Sequence, residues 1–174
     1  SMNIRFDFKN SKIQDLNSEY VNFIAEPFPI CSVDDFLEES LYKELFETFP
    51  PKKFFINPNP DKGNKVALDG RSKKVLEYID SHKVWREFTD SINSPESSDF
   101  FRNLLDDYIP KRSNFKNRKW ITDTNFYKQK EGLNQKENAN YIRYSFEFSY
   151  MENDSYIPPH TDSENKVISM IFYF

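Results

Sequence analysis

The chain has 174 residues, 30% of them charged, with a formal net charge of −4 and only three glycines; its mean hydropathy is −0.80 and its pI about 5.3. That length suits one domain able to bury a sizeable core, and no apolar run approaches the roughly 20 residues of a membrane-spanning helix. The acidic balance gives no general attraction to polyanions, so neither nucleic acid nor membrane is expected as a partner.

Ser1-Met2 reads as a vector remnant ahead of a native start, and no charged-then-apolar signal sequence follows. Residues 3–31 read as irregular and extended, ending in the apolar run Phe28-Pro29-Ile30-Cys31. Cys31 is the single cysteine, which excludes an intramolecular disulfide and fits a reducing compartment. It is expected as a small buried hydrophobe in a cytoplasmic protein.

A helix is expected next, with Ser32 as cap, Asp34 and Asp35 in the first turn, and Phe36, Leu37, Leu41, Leu45, Phe46 and Phe49 at helical spacing. Pro50-Pro51 ends it. Residues 52–70 read as a loop, and 73–92 as a second helical region broken near Ser81. A third helix starts at Ser94-Pro95-Glu96, carries the stripe Phe100, Phe101, Leu104, Leu105 and Tyr108, and closes at Pro110. Residues 111–139 are polar. Their basic cluster, Lys111, Arg112, Lys116, Arg118 and Lys119, reads as a solvated face, and residues 131–140 as a mobile loop.

From Tyr141 the period changes to strict alternation. Tyr144, Phe146, Phe148 and Tyr150 fall on one face, and Arg143, Ser145, Glu147 and Ser149 on the other. Glu152-Asn153-Asp154-Ser155 is a turn, residues 156–161 a second strand and the apolar run 166–174 a third. Helices first and strands last predict an α+β domain: one unit over 1–174, mainly helical over 1–140, with its sheet over 141–174.

Within those strands, His160 and Asp162 are two apart and project from one face. A facial-triad iron site takes one carboxylate and two imidazoles and keeps open positions for substrate and dioxygen. The bare tripeptide equally suits a strand-end histidine hydrogen-bonded to a neighbouring carboxylate. Tyr156, Pro158, His160 and Asp162 share one face, and Ser169, Ile171 and Tyr173 one face of the following segment.

The succession Tyr150, turn, Tyr156, Pro159-His160-Thr161-Asp162, polar loop, Lys166, Ser169, Tyr173 resembles the core of the Fe(II)- and 2-oxoglutarate-dependent oxygenases, nearest to their prolyl-hydroxylase-like branch. The resemblance implies a double-stranded β-helix, or jelly roll, with helices packed on one side. It implies His160 and Asp162 as iron ligands and Tyr150, Ser169 and Tyr173 around the cosubstrate, with Tyr173 donating to its distal carboxylate. It implies Fe(II), 2-oxoglutarate with ascorbate as a reductant, and hydroxylation of a small-molecule or peptide substrate.

The sequence departs from that pattern in three places. The family's second iron-binding His and its cosubstrate-binding Arg or Lys lie on later strands. The only other histidine here is His82, expected as a surface residue of a helix. Asn153-Asp154 replaces the usual turn glycine. The chain is therefore expected to carry only the first strands of the jelly roll, to be inactive alone, and to self-associate through the apolar strand 166–174. The alternatives are a non-catalytic jelly-roll binding module and a helical interaction domain.

Overall fold

The computed structural model describes residues 6–7, 12–13, 21–55, 65–70, 72–94, 97, 101, 119–121, 141–143, 146–157, 159, 160, 162, 166 and 168–174. Their order is β1 (Phe6–Asp7), β2 (Lys12–Ile13), β3 (Val21–Ile24), β4 (Ile30–Val33), α1 (Glu39–Glu47), a 3₁₀ turn (Lys52–Phe54), β5 (Val66–Asp69), α2 (Lys73–Ser81), α3 (Lys83–Ile92), β6 (Lys119–Ile121), β7 (Tyr141–Arg143) and β8 (Glu147–Tyr150). The domain is mixed α+β. Among the described residues the strands form four two-stranded sheets: β1–β2, β3–β4 and β5–β8 antiparallel, β6–β7 parallel. No helix among them is long and apolar enough to cross a membrane.

The centre of the fold is the β5–β8 ladder, in register Leu68↔Phe148. Alternation puts Phe148 on the inner face and Glu147 outside, as the sequence period requires. Over that face lie α1, α2 and α3, contributing Leu45, Val75, Ile79, Val84, Trp85 and Phe88 to the buried cluster. The core is aromatic. The Phe148 ring meets Trp85 edge-on at 4.9 Å and Phe49 edge-on at 5.4 Å. Trp85 in turn meets Phe88 at 5.9 Å. Such edge-to-face contacts place positive ring edges on negative faces, adding about 0.5–1.5 kcal/mol per pair to area burial.

The first helix starts later than its sequence pattern indicates. Ser32 pairs with Asn22 in the β3–β4 hairpin instead of capping a helix, and Asp35 has φ 51, a left-handed conformation through which a right-handed helix cannot run. α1 therefore begins only at Glu39, after Glu38, whose side chain makes no cap hydrogen bond. The stretch read as a loop over 52–70 also contains the 3₁₀ turn and β5, the latter recruited by its pairing with β8 rather than by its own four-residue pattern.

The break near Ser81 is real. His82 is extended (φ −121, ψ 102), ending α2 and preceding α3. It is not a simple surface residue: it is half-buried, its ring stacks on Tyr78 at 4.0 Å and its Nδ1 lies 2.8 Å from the Tyr78 carbonyl. A carbonyl only accepts, so Nδ1 carries the proton in this bond. Ser72 caps α2, its hydroxyl accepting from the Val75 amide at 3.3 Å. Ser94 accepts from the Ser97 amide at 3.2 Å, the capping contact expected there. Phe101 lies 6.3 Å from Phe36, while Phe100, Leu104, Leu105 and Tyr108 fall outside the described residues, as do Tyr144 and the 131–140 loop.

The turn after β8 forms as expected, with the Ser155 amide donating to the Glu152 carbonyl at 2.9 Å. Beyond it the two expected strands are not found: the described residues of 156–174 belong to neither helix nor strand. Burial nonetheless alternates over 168–174. Ile168, Met170, Phe172 and Phe174 are half-buried, and Ser169, Ile171 and Tyr173 are exposed. The segment keeps the period of a strand because it lies on the aromatic core, Phe172 at 5.2 Å from Phe88 and Phe174 at 5.6 Å from Trp85.

Two substitutions test this arrangement by urea denaturation. Phe148→Ala should lower stability by about 3–5 kcal/mol through lost burial and a cavity. Gly70 donates its amide to the Phe146 carbonyl at 2.8 Å, and a Cβ there would stand 2.6 Å from that oxygen. Gly70→Ala should therefore cost about 1–3 kcal/mol by forcing the ladder end apart.

Candidate functional site

His160 and Asp162 follow the Glu152–Ser155 turn, and their side chains converge, with Nε2 of His160 3.7 Å from Oδ1 of Asp162. Two further residues close on the same carboxylate. The Ser169 hydroxyl donates to Oδ2 at 2.5 Å and the Lys166 ammonium donates to Oδ1 at 3.0 Å. Ser169 faces outward because its neighbours in the alternation face the core. The anchoring of Phe172 and Phe174 thus sets which way the hydroxyl points.

These contacts hold the Asp162 carboxyl below the usual carboxylate range. The Ser169 hydrogen bond contributes most, the Lys166 hydrogen bond next, with partial burial opposing and the charges of Lys166 and His160 assisting. Asp162 is 41% and His160 57% exposed, so water reaches the cluster and screens its charges.

The separation of the pair lies within the span of one metal ion. Two donors at about 2.1 Å from one divalent ion lie at most about 4.2 Å apart, and about 3.0 Å apart at right angles. The observed 3.7 Å is inside that limit. An imidazole nitrogen with a carboxylate oxygen is also the donor set that suits divalent iron. Among the described residues no group of three or more His, Cys, Asp or Glu gathers to hold a metal.

The residues expected around a cosubstrate are placed differently from one another. Ser169 is in the cluster, but on the Asp162 carboxylate. Tyr173 is on the same exposed face as Ser169, four residues on, and is 81% exposed. Tyr150 is half-buried at the end of β8, its ring 5.6 Å from Phe55 and 5.9 Å from the Lys52 ammonium. Lys52 also pairs with Glu152. Sequence reasoning noted Lys166 as a basic position and missed its bond to Asp162. Opposite charges four positions apart signal a contact on a helix, which these residues do not form.

Comparisons with protein-family models, curated proteins and solved structures returned no match. The class defined by fold and site is thus an α+β domain carrying a His-x-Asp pair braced by a hydroxyl and an ammonium.

The titration of Asp162 follows from its bonds. A depressed folded-state pKa means that this carboxylate's contribution to stability is present above its unfolded value, about 3.9, and is lost as pH falls through the lower folded value. The ¹³C shift of the Asp162 carboxyl should therefore titrate below the ordinary aspartate range, and Ser169→Ala should move its midpoint upward.

Proposed function

We propose that the chain carries part of the active site of an Fe(II)- and 2-oxoglutarate-dependent dioxygenase, with His160 and Asp162 as two ligands of the metal. The observation that supports this reading is the approach of the His160 nitrogen and an Asp162 oxygen to within the span of one ion. The jelly roll belongs to the same proposal, with β8 and the alternating segment 168–174 as its first part.

Each residue has a role in this reading. His160 and Asp162 supply two positions of the coordination shell and leave the remaining positions open. Tyr173, presented outward, donates its hydroxyl to the distal carboxylate of 2-oxoglutarate. Tyr150 lines the cosubstrate side. Bound Fe(II) would supply oxidation of a substrate C–H bond coupled to conversion of 2-oxoglutarate to succinate, with ascorbate as reductant. Of the two histidines in the chain, His82 is held at the α2–α3 joint, its ring stacked on Tyr78. The substrate is a small molecule or peptide in a reducing, cytoplasmic setting.

A second reading is favoured by one observation: both Asp162 oxygens already accept from side chains of the same chain. In that reading the carboxylate ties residues 162–169 into a closed loop, and the domain is a non-catalytic binding module.

Succinate formation with Fe(II), ascorbate and 2-oxoglutarate separates the two. The protein should turn over, lose activity in His160→Ala, and weaken in 2-oxoglutarate affinity in Tyr173→Phe by the worth of one charge-assisted hydrogen bond, about 1.5–3 kcal/mol. Absence of turnover moves the assignment to the binding module.

A further inference from the structure

We propose that Asp162 is held by a divided clamp, in which Ser169 fixes one carboxylate oxygen and Lys166 occupies the cation position on the other until a divalent ion displaces it. This rests on the metal-site reading above and adds to it the device that keeps the ligand set in place before metal arrives.

The two oxygens of Asp162 are not equivalent. Oδ2 accepts from Ser169 at 2.5 Å, whereas Oδ1 faces both Lys166 at 3.0 Å and His160 at 3.7 Å. The oxygen on the imidazole side is thus the one carrying the ammonium. A carboxylate binding an ion through one oxygen swings about its terminal torsion, which is soft, unless its other oxygen is held, and such outer partners set ligand orientation.

Ser169 is well placed to hold it. Its neighbours Ile168 and Met170 are half-buried, and Phe172 is lodged 5.9 Å from Phe36 and 5.2 Å from Phe88. The hydroxyl is therefore a fixed arm rooted in the core. Lys166 is the opposite: a long flexible stem, 56% exposed, that can leave into water without disturbing packing. An ammonium and a divalent ion on one oxygen repel strongly at about 4 Å, so the two occupy it in turn.

Binding of Mn(II) to the full 174-residue chain, followed by electron paramagnetic resonance at low ionic strength, tests the clamp. Ser169→Ala should weaken Mn(II) binding about 10- to 100-fold, and Ser169→Thr should restore most of the loss. Lys166→Met should tighten binding, by up to about fivefold, because it removes the competing cation. Circular dichroism melts establish that the variants fold, as expected for two exposed side chains. Wild-type affinity in Ser169→Ala, alongside loss in Asp162→Asn, overturns the clamp and leaves the metal site standing. Weaker binding in Lys166→Met overturns the placeholder role. If the wild-type chain takes up no Mn(II), the metal site itself falls, and the clamp with it.

Discussion

The fold is organised by the need of two core aromatic residues, one buried and one half-buried, to find partners for their polar ends. Tyr78 and Trp85 bring large apolar surfaces into the core, and each carries a donor that is costly to bury unmet. Both donate to the Thr48 carbonyl, Tyr78 at 2.5 Å and Trp85 at 3.0 Å, with Trp85 also reaching the Thr48 hydroxyl at 3.0 Å. Thr48 follows the last turn of α1, where carbonyls have no intrahelical donor. One oxygen thereby fixes the end of α1 against α2 and α3 and completes the pocket that receives Phe148. Burial pushes the Tyr78 hydroxyl up from its ordinary range, which keeps it a donor.

Much of the helical architecture was legible because its signals are local. The break at Ser81 and the Ser94 cap depend on residues within one turn. The start of α1 was not legible: Ser32, Asp34 and Asp35 carry the chemistry of a cap and first turn, yet residues 30–33 were claimed by a hairpin partner six to twelve residues upstream. β5 was missed for a related reason, since four residues of mixed pattern become a strand only when β8 comes alongside. The grouping of Ser169, Ile171 and Tyr173 on one side, read from parity, survives because the aromatic core imposes it, even though residues 168–174 form no strand.

The candidate site shows the same division. The approach of His160 to Asp162 was expected from a strand; it is found at 3.7 Å in a segment that forms none. The bond of Ser169 to the Asp162 carboxylate was not expected, because the two stand seven positions apart and no periodicity of the sequence relates them. Cys31 illustrates a position between these cases: its apolar neighbourhood predicted burial, and it is half-buried, with burial raising its thiol pKa and so keeping it a poor nucleophile.

The alternation at the end of the chain links the cluster mechanically to the core. Phe172 and Phe174 act as pegs, and Ser169 is the next element on the same rail, so the position of the Asp162 carboxylate is inherited from how firmly those two rings are seated. A peptide spanning only residues 156–174 would hold the same side chains and pegs without the sockets that seat them and would lose the geometry. Shrinking a ring as remote as Phe88 would loosen the cluster without touching any of its members.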